Sequence, residues 1–369
     1  MKLALLGASL YSQGAEFVLA TVARGLSQRG HDIHVIVNGI HKKIAKEHPY
    51  QAPFDVGDKV KVLVIDSVRA RDSIGELRAI FKAEHYDCVM CHHAPFALPM
   101  LIAAFGLEQK NVYVEHLGGI GADLEGKRIE NKFTVVSYLK NSLMRLYDAQ
   151  LAVSKGTLEA INRMTGYPKE KLHLVYNPVF DSLPDNFERK VDVECPIVMA
   201  AGALGRIKHF DLLIDAFSKV HQSNPTARLV IWGEGIERAT LLKQINNLGL
   251  NHVVSLPGFT NQLPLELKQA SCFVVSSYVE SFSIVLVEAM AAGVPVVSVD
   301  APYGPREILQ DGKNGILVDN NNVDALAAGI CKVLNGQGIT PAQSMIERFS
   351  VANVAKRYED VLLKIISAS

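Results

Sequence analysis

The sequence predicts an α/β protein with two parallel sheets, each covered by helices on both faces. Short runs of β-branched and other apolar residues alternate with amphipathic helical patterns along the whole 369-residue chain. Strands that are apolar throughout and separated by helices are typical of parallel sheets. The length suggests about two domains of ordinary size, and a polar, aperiodic stretch at 179–194 divides the strands into two sets.

The strand patterns of the first set lie at 2–6, 32–37, 61–65, 87–91, 111–115, 150–154 and 173–176. Those of the second set lie at 197–201, 228–232, 253–256, 272–276, 295–299 and 315–318. Amphipathic patterns, such as those at 17–28 and 210–221, predict the connecting helices. The chain therefore divides into an N-terminal domain at 1–178, a linker at 179–194, a C-terminal domain at 195–348 and a final segment at 349–369 with a helix at 351–366.

Composition and charge exclude several classes of protein. Hydrophobic residues make up 49% of the chain, and 38 basic residues balance 38 acidic ones. Because the chain has no dense stripe of lysine and arginine, nucleic acid is not an expected partner. No uninterrupted apolar run reaches the ~18 residues of a transmembrane helix, and the apolar start at 1–7 is too short for a signal peptide. We expect a cytoplasmic protein, either free or peripheral at the inner face of the cytoplasmic membrane.

The five cysteines indicate reduced thiols, because their number is odd and most lie in apolar, strand-like contexts. Cys88, Cys91, His92 and His93 crowd the end of one predicted strand. A zinc site needs a second pair of ligands at suitable spacing, which the sequence lacks. We therefore predict no metal site.

The most informative segment carries two carboxylates, Glu280 and Glu288, eight positions apart. A predicted strand precedes them, Ser281-Phe282-Ser283 forms a turn, and an apolar helix follows. In a parallel sheet this loop lies at the carboxyl edge, where ligands bind, and the free N–H groups of the helix start attract an anion. A carboxylate within such an apolar helix needs a partner, although a stray acid on a packed helix is the alternative interpretation.

A second charged loop follows the first strand of the C-terminal domain. Gly205, Arg206 and Lys208 lie between the strand at 197–201 and the helix at 210–221. Arginine supplies a planar fork and lysine a point charge, so the two side chains can converge on one anion. A solvated basic loop is the alternative.

These segments resemble the retaining glycosyltransferases of the GT-B fold that carry a Glu-x7-Glu motif, the family 4-like group. The resemblance continues through 301–308 and 311–315. It implies two Rossmann-like domains facing each other across a cleft, with the last helix crossing back onto the first domain. It also implies metal-independent transfer of a hexose or N-acetylhexosamine from a nucleotide sugar, such as a UDP-sugar, to a saccharide or lipid-linked acceptor. Surface polysaccharide or glycolipid synthesis is the expected setting, and no cofactor is expected.

The resemblance also assigns roles to particular residues. Glu280 holds hydroxyls of the donor sugar, Arg206 and Lys208 neutralise the diphosphate, Glu288 binds the ribose hydroxyls, and His116 takes part in catalysis. Further donor-binding residues are Gly14, Gly205, Trp232, Gly233, Glu234, Gly258, Phe259, Ser281, Phe282, Ser283, Ile284 and Val285. Gln13 and His93 are candidates on the acceptor side. Gln13 departs from the family pattern, which usually has glycine at this position.

The segment at 126–145 mixes basic and apolar residues, which suits either a membrane surface or an anionic acceptor. An ordinary solvated helix explains the pattern equally well. Among other functions, a non-catalytic nucleotide-sugar-binding subunit and a GT-B nucleotide-sugar epimerase remain open. An NAD-dependent oxidoreductase is disfavoured, because the first loop lacks the Gly-x-Gly-x-x-Gly spacing.

Overall fold

The computed structural model describes residues 1–11, 14–47, 53–116, 142–183 and 190–368. These residues form two compact units. The described residues up to Asp181, together with those from Phe349 onward, make up the first unit, and Ser182–Arg348 makes up the second. The predicted α/β class with two parallel sheets is confirmed, because every strand pair in both units is parallel.

The first unit contains a seven-stranded sheet in the order β3-β2-β1-β4-β5-β6-β7. Its strands are β1 (Lys2–Gly7), β2 (Asp32–Val37), β3 (Lys61–Val64), β4 (Cys88–Cys91), β5 (Lys110–Glu115), β6 (Ala149–Ala152) and β7 (Leu172–Leu174). Its helices are α1 (Gly14–Gln28), α2 (Ile40–Glu47), α3 (Ile74–Glu84), α4 (Ala97–Ala104) and α5 (Lys155–Thr165). The central strands are buried throughout, as expected of a sheet covered on both faces.

The second unit contains a six-stranded sheet in the order β10-β9-β8-β11-β12-β13. Its strands are β8 (Ile197–Ala201), β9 (Arg228–Trp232), β10 (Val254–Gly258), β11 (Ala270–Val275), β12 (Val296–Val299) and β13 (Ile316–Val318). Its helices are α6 (Phe210–Ser223), α7 (Arg238–Asn247), α8 (Leu263–Glu266), α9 (Ile284–Ala291), α10 (Gly304–Ile308), α11 (Val323–Lys332) and α12 (Gln343–Ile346).

Each predicted strand overlaps a strand of the structure, and the differences lie at strand ends. The strand predicted at 253–256 continues to Gly258 and so includes Pro257. Proline has no N–H group to donate, but β10 lies at the edge of its sheet, where this donor is not needed. The strand predicted at 272–276 begins earlier, at Ala270.

The order of the strands fixes where loops can form a site. In the second unit, β8 lies between β9 and β11, so the chain leaves β8 and β11 toward opposite sides of the sheet. This is a topological switch point, and the loops that follow these two strands separate to leave a crevice at the carboxyl edge. In the first unit, β1 occupies the same position between β2 and β4.

The final helix, α13 (Val351–Ser367), packs on α1 of the first unit. The helices approach closely at Gly25, where an added Cβ atom would lie 2.9 Å from Ala355 Cβ and 2.9 Å from Val351 Cγ1. Glu359 on α13 also accepts from Arg29 Nε at 2.9 Å and lies 2.9 Å from His31 Nε2. The last helix therefore belongs to the first unit by both packing and charge.

The segments next to the unit boundary pair with each other inside the first unit. The Val179 N–H group donates to the Phe349 carbonyl at 2.9 Å, and the Val351 N–H group donates to the Phe180 carbonyl at 2.9 Å. Arg24 holds the Asp181 carboxylate with bonds of 2.9 and 3.0 Å. Residues 179–181, at the start of the predicted linker, are thus fixed to the first unit.

We expect Gly25→Ala to destabilise the first unit, because the added methyl group overlaps Val351 and Ala355. Overpacking costs about 1–3 kcal/mol, and the gain of about 0.5–1 kcal/mol in helix propensity offsets only part of it. Urea unfolding monitored by circular dichroism measures the change. Gly75→Ala on α3 is the matched control, because an added Cβ atom there meets nothing within 4 Å. A Gly25→Ala protein as stable as the control would contradict the described contact.

Candidate active site

The loops after β8 and β11 meet through an ion pair between Lys208 and Glu280. Lys208 Nζ lies 2.7 Å from Glu280 Oε2, and Ser277 Oγ donates to the same oxygen at 2.9 Å. The Lys208 side chain is 26% exposed and that of Glu280 14% exposed. This pair is therefore screened less than a surface pair, yet it remains accessible to a ligand.

Backbone contacts hold Lys208 in place. A 3₁₀ turn spans Arg206–Lys208. Ser276 Oγ donates to the Lys208 carbonyl at 2.9 Å, and the Tyr278 N–H group donates to the Ile207 carbonyl at 2.8 Å. The turn is thus attached to the continuation of β11, and this attachment brings Lys208 to Glu280.

The Glu280 backbone is held between Pro302 and Gly304. Its N–H group donates to the Pro302 carbonyl at 3.3 Å, and its carbonyl accepts from the Gly304 N–H group at 2.8 Å. Tyr303, between them, has φ 87° and ψ −76°. This is the rare γ-turn with positive φ, a strained conformation of the kind that clusters at functional sites.

Helix α9 begins immediately after this loop. Ser283 precedes the helix in a left-handed conformation, with φ 81° and ψ 78°, and its side chain does not cap the helix. Ser283 is buried, and its Oγ atom has no hydrogen-bond partner among the described residues. The first N–H groups of α9 therefore stay available to an anion, and the helix dipole favours negative charge at this end.

Glu288 lies one turn into α9, on the same face as Ile284. Burial raises the pKa of its carboxyl group to about 7. No hydrogen bond or ion pair from a described residue reaches this carboxyl group. In contrast to Glu280, which accepts from Lys208 and Ser277, this carboxyl group can accept hydrogen bonds from a ligand without losing a described partner.

The loops after β8, β9 and β10 stack closely at the same edge of the sheet. The Gly202 N–H group donates to the Trp232 carbonyl at 2.9 Å, and the Gly233 N–H group donates to the Gly258 carbonyl at 2.8 Å. A Cβ atom on Gly233 would lie 1.8 Å from the Gly202 carbonyl oxygen, so only glycine fits there. Phe259, which follows, is 59% exposed.

The first unit carries two paired histidines at the ends of neighbouring strands. His92 follows β4 and His116 follows β5, and His92 Nδ1 lies 3.0 Å from His116 Nε2. The ring centroids are 5.2 Å apart and the ring planes differ by 28°, so the two rings meet edge to edge through these nitrogens. Burial lowers the pKa of His116 to about 4 and that of His92 well below its ordinary value. Both imidazoles are therefore neutral at pH 7.

Two family profiles match almost the whole chain. The profile of Glycosyltransferase Family 4 matches residues 12–182, and that of Glycosyl transferases group 1 matches residues 184–349. The chain is a family 4-like GT-B glycosyltransferase.

Individual relatives agree with this assignment. An uncharacterized glycosyltransferase from Methanocaldococcus jannaschii is 26% identical, and the alignment covers 92% of this chain and 91% of the relative. An exopolysaccharide phosphotransferase from Streptomyces coelicolor is 29% identical over 60% of this chain, but only 24% of the relative's length is spanned. Other relatives are glycosyltransferases named for poly(glycerol-phosphate), poly(ribitol-phosphate) or undecaprenol-linked acceptors.

Solved structures share the fold over the whole chain. The crystal structure of Anabaena HepE in complex with UDP and glucose has a TM-score of 0.75 and 23% identity. The match covers 99% of this chain and 100% of that one. The predicted GT-B fold is therefore confirmed.

The structure brings together some predicted site residues of the glycosyltransferase and separates others. Lys208, Glu280 and the start of α9 lie at one edge of the second sheet, whereas Arg206 contacts a different acid from the one that Lys208 contacts. Arg206 Nε donates instead to Glu237 Oε1 at 3.3 Å, and its side chain is 58% exposed. The reason is the 3₁₀ turn, in which side chains two positions apart project in different directions.

The other predicted donor residues lie in the second unit, at strand ends, in loops or in the first turn of α9, with one exception. Gly205 begins the 3₁₀ turn, Trp232 ends β9 with its indole N–H group buried and unpaired among the described residues, and Glu234 pairs with Arg238 at 3.0 Å. Gly14 is the exposed first residue of α1 in the first unit.

Two of the candidate regions fall partly outside the described part of the chain. Gln13 lies outside the described residues, as does most of the basic segment at 126–145. Of that segment, Arg145 is described, and it donates to the Thr165 carbonyl at 3.0 Å. His93 is half-buried, 6.0 Å from the Phe96 ring between centroids.

Sequence reasoning assigned no role to His92 in the first unit or to Ser277 in the second. The adjacent histidines were a visible signal, but His92 was considered only as a metal ligand and His93 as a metal ligand or an acceptor-side residue. Among the described residues, no cluster of three histidine, cysteine or acidic side chains is arranged to hold a metal ion. All five cysteines are free, and burial raises the pKa of the Cys91 thiol to about 12.

No helix in the described ranges combines the length and apolar composition that crossing a bilayer requires.

We expect Gly304→Ala to displace the loop that holds Glu280. A Cβ atom there would lie 2.5–2.7 Å from backbone atoms of Phe282. The second unit should lose about 1–3 kcal/mol of stability, measured by urea unfolding, and the glycosyl-transfer rate should fall as well. Pro302→Ala is the control, because this exposed residue contributes only its carbonyl to Glu280. If the two variants had the same stability and the same transfer rate, the Pro302–Gly304 turn would not be what holds Glu280 in place.

Proposed function

We propose that the glycosyltransferase moves a hexose or N-acetylhexosamine from a UDP-sugar to a saccharide or lipid-linked saccharide acceptor, with retention and without a metal ion. The observation that carries this proposal is the Lys208–Glu280 pair beside the uncapped start of α9. It combines a cation, an anion-binding helix end and a carboxylate that can hold sugar hydroxyls. We assign the enzyme to the cytoplasm, in surface polysaccharide or glycolipid synthesis.

In this proposal the diphosphate of the donor binds at the start of α9 and attracts the Lys208 ammonium group. Negative charge grows on the departing diphosphate as the glycosidic bond breaks, and groups already aimed at that charge lower the barrier most. As Lys208 turns toward the phosphate, the Glu280 oxygen that it now contacts becomes free to accept hydrogen bonds from the hexose. In this way one residue of the ion pair, Lys208, binds the diphosphate of the donor, and the other, Glu280, binds its hexose.

Retention follows in this scheme from attack on the face of the sugar that the diphosphate leaves. The bond from the anomeric carbon to the diphosphate oxygen breaks, and the bond from that carbon to the acceptor oxygen forms on the same face. The acceptor proton passes to the departing phosphate oxygen. His116 contributes as a neutral hydrogen-bonding group, because burial lowers its pKa to about 4.

Lys208 and the α9 N–H groups provide the positive charge that a divalent cation supplies in other transferases. The sequence also lacks an Asp-x-Asp motif. The donor nucleotide is proposed as UDP because Anabaena HepE binds UDP and glucose. The acceptor class is proposed from relatives named for polymer or undecaprenol-linked acceptors.

A calorimetric screen of UDP-sugars, followed by transfer assays with the hits, tests the proposal. We expect one UDP-hexose or UDP-N-acetylhexosamine to bind best and to be transferred in EDTA at the untreated rate. Proton NMR of the product should show the anomeric configuration of the donor. Loss of activity in EDTA that Mg²⁺ or Mn²⁺ restores would refute metal independence, and an inverted anomer would refute retention.

We expect Glu288→Gln to weaken donor binding and to change its pH dependence. The ionised carboxylate accepts both ribose hydroxyls, whereas the protonated acid has less acceptor capacity. Because the pKa of Glu288 is about 7, the donor KM of the wild type should fall as pH rises from about 6 to 8. The amide does not titrate, so the variant should lose this trend. If the donor KM of Glu288→Gln fell with rising pH as it does in the wild type, the pH dependence would come from another group.

We expect Lys208→Ala to lower kcat by about a hundredfold, as befits loss of about 3 kcal/mol of leaving-group stabilisation. Steady-state kinetics with a saturating donor measures the change. Arg206→Ala is the matched comparison, since Arg206 is exposed and bound to Glu237. We expect less than about a tenfold effect there. If Arg206→Ala lowered kcat more than Lys208→Ala did, Arg206 rather than Lys208 would be the main group that stabilises the leaving diphosphate.

A further inference from the structure

A second histidine, His92, contacts the ring of His116. His92 is 3% exposed, follows β4 and forms one contact between ring nitrogens, His92 Nδ1 to His116 Nε2, at 3.0 Å. Neighbouring strands β4 and β5 hold the two residues, and the His92 N–H group of the backbone donates to the Leu6 carbonyl of β1 at 2.9 Å. His92 is therefore fixed from two strands, whereas His116 is the more exposed member of the pair.

The environment of the second His92 nitrogen decides which atom carries the proton. Nε2 of His92 is buried and has no hydrogen-bond partner among the described residues. A buried N–H group without an acceptor is rarer and more costly than a buried acceptor without a donor. The proton of neutral His92 therefore lies on Nδ1, from which it is donated to His116 Nε2.

We propose that His92 is a positioning residue that sets the tautomer of His116 and so leaves Nδ1–H of His116 as a hydrogen-bond donor toward a substrate oxygen. A neutral imidazole that accepts at one nitrogen carries its proton on the other. This edge-to-edge contact between the ring nitrogens, with centroids 5.2 Å apart, restricts rotation of the His116 ring as well. The part of this inference that concerns substrate rests on the proposed function.

Besides His92, the neighbouring His93 also favours the neutral form of His116. His93 is itself partly buried, and burial lowers its pKa. The group of histidines is thus uncharged at neutral pH. His116 acts here as a fixed hydrogen-bond donor, and no proton transfer is required of it.

Two variants of His92 separate hydrogen bonding from packing. His92→Leu fills the apolar space but has no donor. His92→Asn branches at Cγ, as histidine does, so that its amide N–H group can take the place of Nδ1–H. We expect His92→Leu to lower kcat/KM for transfer by about 10–100-fold, the usual effect of losing a partner that orients a functional histidine. His92→Asn should recover most of that loss.

Nitrogen-15 NMR of histidine-labelled enzyme reads the tautomer without any substrate. We expect His116 of the wild type to carry its proton on Nδ1, and His92→Leu to shift it toward the Nε2–H form. Thermal unfolding and UDP calorimetry check that each variant is folded and still binds the nucleotide. An Nε2–H form in the wild type overturns the inference, as does transfer by His92→Leu at the wild-type rate or by His92→Asn at the rate of His92→Leu.

The experiments distinguish failure of the proposed function from failure of the positioning role of His92. A wild-type enzyme that binds and transfers no UDP-sugar refutes that function, while the NMR experiment still decides the tautomer. Conversely, an active wild type whose rate does not depend on His92 refutes only the positioning role.

Discussion

The adjacency of β8 and β11 is the constraint on which the second unit's site depends. It brings the turn carrying Lys208 against the loop carrying Glu280, where their side chains meet at 2.7 Å. Opposite charges at such a distance attract by several kcal/mol at an effective dielectric constant of ~20, but desolvation offsets much of this. The value of the pair thus lies in placement more than in net stability. A buried charge whose partner is removed is costly. Each of the two side chains is therefore held in place by the other, next to the loop that precedes α9.

The same helix and its preceding loop carry two acids in different surroundings. Glu280 accepts hydrogen bonds from Lys208 and Ser277, and these two bonds orient its side chain. Glu288 has no such partner among the described residues, and burial alone raises its pKa to about 7. A pKa raised by desolvation, without a compensating cation, identifies a carboxyl group that gains most from hydrogen-bond donors brought by a ligand. Glu280 therefore lies beside a cation, whereas no described residue offers Glu288 an opposite charge or a hydrogen bond.

Much of the fold follows from local patterns, and the same is true of part of the site. Apolar runs of strand length predicted all the strands of both sheets, because burial on both faces leaves a signal in each strand alone. Lys208 and Glu280 meet at one edge of the second sheet, as expected of loops that follow the carboxyl ends of parallel strands. Side-chain direction was the part that the sequence could not supply. Arg206 projects away from Lys208 within a 3₁₀ turn, and the His92–His116 contact joins residues 24 positions apart on separate strands. No periodic pattern in the sequence reveals either the direction of the Arg206 side chain or the contact between the two histidines.

Backbone strain around Glu280 shows how firmly the second unit fixes its site. Tyr303 and Ser283 both adopt positive φ values, and each such residue costs on the order of 1–3 kcal/mol. The structure tolerates this because Phe282, Leu286, Val287 and Met290 are buried on the same segment, and burial of such side chains contributes about 1.5–3 kcal/mol each. Apolar packing of α9 therefore stabilises a loop that would otherwise relax. In the proposed reaction, a backbone held in this way reorganises little as negative charge develops, and low reorganisation is what makes fixed dipoles effective in catalysis.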